Sequence, residues 1–134
     1  MSALETGLLV ALVTTTPFPA SRLIGWVQTC HALQSRIAKP DPTKYYAIRD
    51  AKDWKNPYLI VRRDGVELVG ITPLGQSTRV EAIPGLLERL PNSAWPYGLV
   101  VAVQDIGVIS QGERTRIETN RTRLLQLLKT SASK

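Results

Sequence analysis

Cysteine and histidine stand side by side once in this chain, at Cys30-His31, and neither residue occurs elsewhere. A thiol next to an imidazole is a pairing from which nucleophilic catalysis is built, because the imidazole can take the thiol proton. On a helix, however, adjacent side chains point about 100° apart, so His31 is poorly placed to serve Cys30 as base. Cys30 also falls on an apolar stripe, where a thiol is ordinarily buried and inert. One cysteine excludes an intramolecular disulfide and any zinc site of several thiolates, and one histidine excludes a His-rich metal centre.

Carboxylates are the remaining candidates for catalysis. Asp50 and Asp53 lie shortly before an apolar hairpin, and Asp105 follows an apolar run at 97–103. Acids alone can bind Mg²⁺ or act as an acid–base pair. A carboxylate- and metal-dependent hydrolase on Asp50, Asp53 and Asp105 is therefore the enzyme alternative, and it requires the three to converge. Each also suits an ordinary turn or cap. The glycines at 65, 70, 75, 85, 98, 107 and 112 stand singly, with no dinucleotide or P-loop spacing and no G-x-S-x-G elbow. Asn120-Arg-Thr122 matches a glycosylation sequon, but inside a segment read as helix. No catalytic, cofactor-binding or metal-binding residue is assigned, and no cofactor is expected.

Binding chemistry is better represented. Trp54 and Trp95 both lie beside prolines in loop-like sequence, either as an exposed recognition patch or as lids on the core. Arg114, Arg116, Arg121 and Arg123 decorate the last helical segment and could track phosphates. Their ordinary role is to lie along the apolar border with their charges in water, and no aromatic residues interleave with them. The net charge of +6 is split evenly: +3 over residues 1–67 (nine basic, six acidic) and +3 over residues 68–134 (eight basic, five acidic). A nucleic-acid groove more often concentrates its charge. The expected function is a non-enzymatic binding domain whose partner is another protein, with nucleic acid as the alternative.

The elements that must position these residues centre on the stretch 58–71, where two apolar segments flank Asp64-Gly65. A two-residue turn there predicts an antiparallel hairpin with Arg62 facing Glu67 and Val61 facing Leu68. Leu59, Val61, Val66 and Leu68 share one face, and Tyr58, Ile60, Val69 and Ile71 the other. The run 97–103 reads as a central strand buried on both faces. Between them, residues 76–81 suit a short edge strand, and 83–90 a two-turn helix with Pro84 near its start. Thr115 and Glu118 have capping-box spacing, which predicts a helix from there to about Thr130 with Ile117, Leu124, Leu125 and Leu128 on its apolar stripe.

Upstream, Ser21 can cap a helix to about Ala38, with Leu23, Trp26, Val27, Cys30, Leu33 and Ile37 at three- and four-residue steps. Pro40 and Pro42 end it. That loop divides the reading into residues 1–39, an apolar segment plus helix loosely attached, and residues 45–134, a compact unit. The fold class is α+β: a small mixed sheet on the hairpin 58–71 and the strand 97–103, with helices packed on it.

The apolar run at 7–13 is seven residues long, whereas a membrane span needs about 20. It lacks a positive flank and a clean cleavage site for a signal peptide. A cytoplasmic location is expected, with export the alternative if residues 1–20 act as an atypical signal.

From 57 to 129 the order of parts resembles the periplasmic domain of the biopolymer-transport ExbD/TolR family. That order is a strand, an Asp-Gly turn and a strand (59–71), a leucine-containing helix (Leu86, Leu87, Leu90), an apolar strand (99–103) and a helix (124–128). Members of that family carry an N-terminal membrane helix with a functional aspartate. The apolar run here is too short and has no acid, so proton-driven energy transduction is not implied. The resemblance implies a non-catalytic domain that binds a partner, with a place outside the cytoplasm.

Overall fold

The computed structural model describes residues 23–106 and 110–132. The run at 7–13 and the leader reading of residues 1–20 lie outside the described residues, as do residues 107–109 of the loop after the apolar strand. The elements are β1 (Leu23–Trp26), α1 (His31–Gln34), β2 (Tyr58–Arg62), β3 (Gly65–Leu68), α2 (Ile83–Glu88), β4 (Val100–Asp105), α3 (Gln111–Leu128) and β5 (Ser131–Ala132). Among the described residues the strands form one mixed sheet in the order β3-β2-β4-β1-β5. The β2–β4 pair is parallel and the other pairs are antiparallel. The fold is α+β, as expected.

β4 is the centre, and Val100, Val101, Ala102 and Val103 are all buried. A strand covered on both faces needs no polar alternation, which is why 100–103 reads as an unbroken apolar run. On one face Val101 and Val103 join Leu59, Val61, Val66 and Leu68, closed over by Ile83 and Leu87 of α2 and by Ile117, Leu124 and Leu128 of α3. On the other, Val100 and Ala102 meet Tyr45, Trp54 and Tyr97.

The predicted helix over 21–38 is corrected. Its described part is the strand β1, paired from Leu23↔Val103 to Trp26↔Val100, followed by the four-residue α1. The reason is tertiary: β4 must have a hydrogen-bonded neighbour on each side, and Gly25 weakens a helix there. Val27, Cys30, Leu33 and Ile37 still reach the main core. This segment therefore shares the sheet and the core of the unit drawn from residue 45 onward. The chain beyond it is tied as well, through Leu99 N–H to Ala38 O (2.9 Å) and Asp41 N–H to Tyr97 O (2.9 Å).

The hairpin forms, with its register moved. Arg62 pairs Gly65, Val61 pairs Val66, Ile60 pairs Glu67 and Leu59 pairs Leu68, so the turn residues are Arg63 and Asp64. Gly65 is used for close approach instead: a Cβ there would lie 2.2 Å from the Thr78 carbonyl oxygen. The two-residue change in pairing preserves each side chain's face, so Leu59, Val61, Val66 and Leu68 remain together in the core. Arg62 and Glu67 become diagonal neighbours and still form an ion pair at 2.5 Å, with Glu67 buried.

Two further expectations change. The segment 76–81 gives only a bridge from Thr78 to Val66 and a turn of 3-10 helix at Val80–Ala82. The last helix starts at Gln111, four residues ahead of the Thr115 cap, because the Ser110 hydroxyl accepts from Glu113 N–H at 3.1 Å. Thr115 lies inside that helix and donates to Gln111 O.

Candidate functional site

Cys30 and His31 part company. Cys30 is buried in the core, while His31 begins α1 on the exposed side. Burial, with help from the negative charge of Glu88, pushes the Cys30 thiol up to about 11. A thiol that keeps its proton so tightly is a poor nucleophile.

The carboxylates do not gather. Asp50 and Asp53 flank a turn of 3-10 helix, where Asp53 is exposed. Asp105 lies at the end of β4 and pairs with Arg121 of α3 at 2.6 Å. Burial raises the Asp105 carboxyl, opposed by Arg121 and reinforced by Glu118. Among the described residues no group of three or more His, Cys, Asp or Glu side chains is placed to hold a metal ion.

Both tryptophans are lids on the core, and the exposed-patch reading of them is corrected. Trp54 donates from its indole to Pro57 O at 3.1 Å and stacks edge-on against Tyr45 and Tyr97. Trp95 is buried in the main core under α2 and α3. A large aromatic ring beside a proline is as useful for closing a small core as for meeting a partner, and this core needed both rings.

The arginines divide. Arg121 is held by Asp105, and Arg123 forms an ion pair with Glu81. Arg114 and Arg116 are exposed. Arg116 lines a depression of about 270 Å³ with Arg63, Ser110 and Glu113, and Arg63 and Glu113 pair across it at 3.4 Å. A carboxylate standing in the depression makes it a poor home for a phosphate.

A different surface stands out, one that the sequence placed inside a strand. β3 ends at Leu68; Val69 keeps a backbone bond to Tyr58 O (3.0 Å), but its side chain and that of Ile71 are 41% and 51% exposed, and Leu74 at the tip is 94% exposed. Beneath them runs a groove of about 160 Å³ walled by Pro57, Leu68, Val69, Ile71, Leu90 and Ala94. Three separate ties fix its walls. Asn56, buried beside Pro57, donates to Gly98 O (2.7 Å) and Val100 O (2.8 Å) and accepts from Tyr97 N–H (2.8 Å). Thr72 uses its hydroxyl on Leu68 N–H (3.1 Å) and its own N–H on Leu68 O (2.9 Å). Arg36 reaches the carbonyls of Glu88 (2.8 Å) and Leu90 (2.9 Å) and the side chain of Asn92.

These ties also blunt the outer edge of β3. Val66 exchanges both backbone bonds with Thr78 (2.9 and 2.8 Å), and the Leu68 N–H is taken by Thr72. What the edge offers a partner is apolar side chain and not free strand backbone. Compared with family models, curated proteins and solved structures, the chain matches none of them.

Proposed function

We propose that this chain is a non-enzymatic binding domain that docks another protein through the apolar turn at 69–74 and the groove beneath it. One observation carries the reading. Among the described residues four large hydrophobic side chains are exposed, and three of them, Val69, Ile71 and Leu74, fall within six residues of one turn. Scattered exposed apolar residues need no explanation, but a cluster on a pinned scaffold costs solubility and marks a contact surface. Preorganised walls reduce the entropy lost on binding. The resemblance of residues 57–129 to the ExbD/TolR periplasmic domain points to the same class of role.

Nucleic-acid binding has less support, because two of the four arginines are engaged within the chain, Arg121 with Asp105 and Arg123 with Glu81. Among the described residues no helix is long and apolar enough to cross a membrane.

The test is a photo-crosslinking residue placed at position 74, with one at position 116 as control, in the native host. A discrete protein adduct from position 74 alone is expected. Adducts from position 116 alone, removed by nuclease, would support the arginine surface instead.

A further inference from the structure

The groove also constrains what fills it, and the inference rests on the docking role proposed above. We infer that the occupant is an acidic segment of a partner protein, which seats one apolar side chain in the groove and places a carboxylate on Lys55. Lys55 is the one charged residue among those lining the groove, and its side chain is exposed at the rim. Its neighbour Asn56 spends its amide on 97–100, and Tyr97 donates to Asp53 O while its oxygen accepts from Lys55 N–H at 3.0 Å. The backbone under Lys55 is thereby fixed, while the ammonium is left to meet a ligand.

A second copy of this chain is the other natural occupant of an apolar patch, and area argues against it. Val69, Ile71 and Leu74, at 41%, 51% and 94% exposure, are three side chains, whereas a standard stable interface takes about 20–30 residues a side. A second copy also brings the same charge of +6. An acidic segment gains from that charge, through steering at a distance and an ion pair at the rim. The groove volume of about 160 Å³ accommodates one leucine- or phenylalanine-sized anchor and not a cluster.

A phage-displayed library of random twelve-residue peptides, selected on the intact protein and counter-selected on the Ile71→Ser/Leu74→Ser double variant, tests this. The expected peptides carry net negative charge beside one leucine or aromatic anchor. Their binding to Lys55→Glu should fall about tenfold, and to wild type several-fold between 50 and 300 mM salt, on the order expected for a partly desolvated charge pair. Peptides that depend on Ile71 and Leu74 but show no acidic bias, and bind Lys55→Glu unchanged, would overturn the acidic occupant and leave the docking surface standing. Failure to recover any peptide dependent on Ile71 and Leu74 would overturn both. A concentration-dependent dimer in sedimentation that the double variant abolishes would replace the acidic segment with a second copy.

Discussion

At Asn56 a single buried amide closes three hydrogen bonds to the backbone of residues 97–100 and so joins the entry of β2 to the entry of β4. From sequence it reads as a turn residue before Pro57, since nothing local reveals partners some forty positions away. Asn56→Ala removes three buried hydrogen bonds to the backbone, although Gly98 O keeps the Val100 N–H (2.9 Å) as a partner. A loss of about 2–4 kcal/mol is expected in urea unfolding. Cys30 provides a second residue-scale test. With its thiol held at about 11 against an ordinary 9.0, the folded state keeps a proton that the unfolded state releases first. Its contribution is therefore present below pH 9 and is lost as pH rises from 9 toward 11. At pH 8 a maleimide or disulfide reagent should label Cys30 only as fast as the protein opens, and at once in denaturant. Rapid labelling of the native protein would contradict its place in the core. Asp105 has the same sign: its raised carboxyl makes stability fall as pH rises above the ordinary 3.8, and a carboxylate titration by NMR should find it displaced upward.

At the scale of elements, the hairpin, β4, α2 and the body of α3 were legible because each has one period and one set of neighbours. The segment 23–37 was not. Leu23, Trp26, Val27, Cys30, Leu33 and Ile37 satisfy a helical stripe, and they equally satisfy a strand followed by a short helix that returns to the same core. Only the need of β4 for a second neighbour decides between them, and that need is non-local. Backbone amides of residues 24–26 should accordingly exchange with deuterium about as slowly as those of β2, and trypsin should not cut preferentially at Lys44. Fast exchange across 24–26 would return this segment to the loosely attached role. Gly98 supplies a sharper probe of the same junction. Its φ is +90°, and a Cβ there would lie 2.3 Å from the Lys39 carbonyl oxygen. Gly98→Ala is expected to cost more than about 2 kcal/mol, since strain and a backbone clash add. Gly70→Ala meets no neighbour and should cost only the strain of its own φ of +86°.

For the whole molecule, the two tryptophans that the sequence offers as an exposed patch lie in the core. Trp54 and Trp95 were the visible candidates, yet a chain of 134 residues with three tryptophans and one phenylalanine has few large side chains to close its core. Val69 and Ile71 read as strand, because they continue the alternation of 66–68. β3 instead stops at Leu68, where Thr72 caps its backbone, and the alternation then points into solvent. The signal that was present is Thr72-Pro-Leu-Gly75, a turn that holds a leucine at its apex. A surface that serves only binding should be separable from stability. Ile71→Ser/Leu74→Ser removes mostly exposed apolar area, Leu74 being 94% and Ile71 51% exposed, so melting should move by no more than about 2–4 °C. The direct measurement is retention of host proteins on immobilised wild type, on this double variant and on Arg114→Ala/Arg116→Ala, at matched folded concentration. The account predicts bands held by wild type and by the arginine variant and lost from the double variant. Retention that survives in the double variant and disappears with the arginines would contradict it.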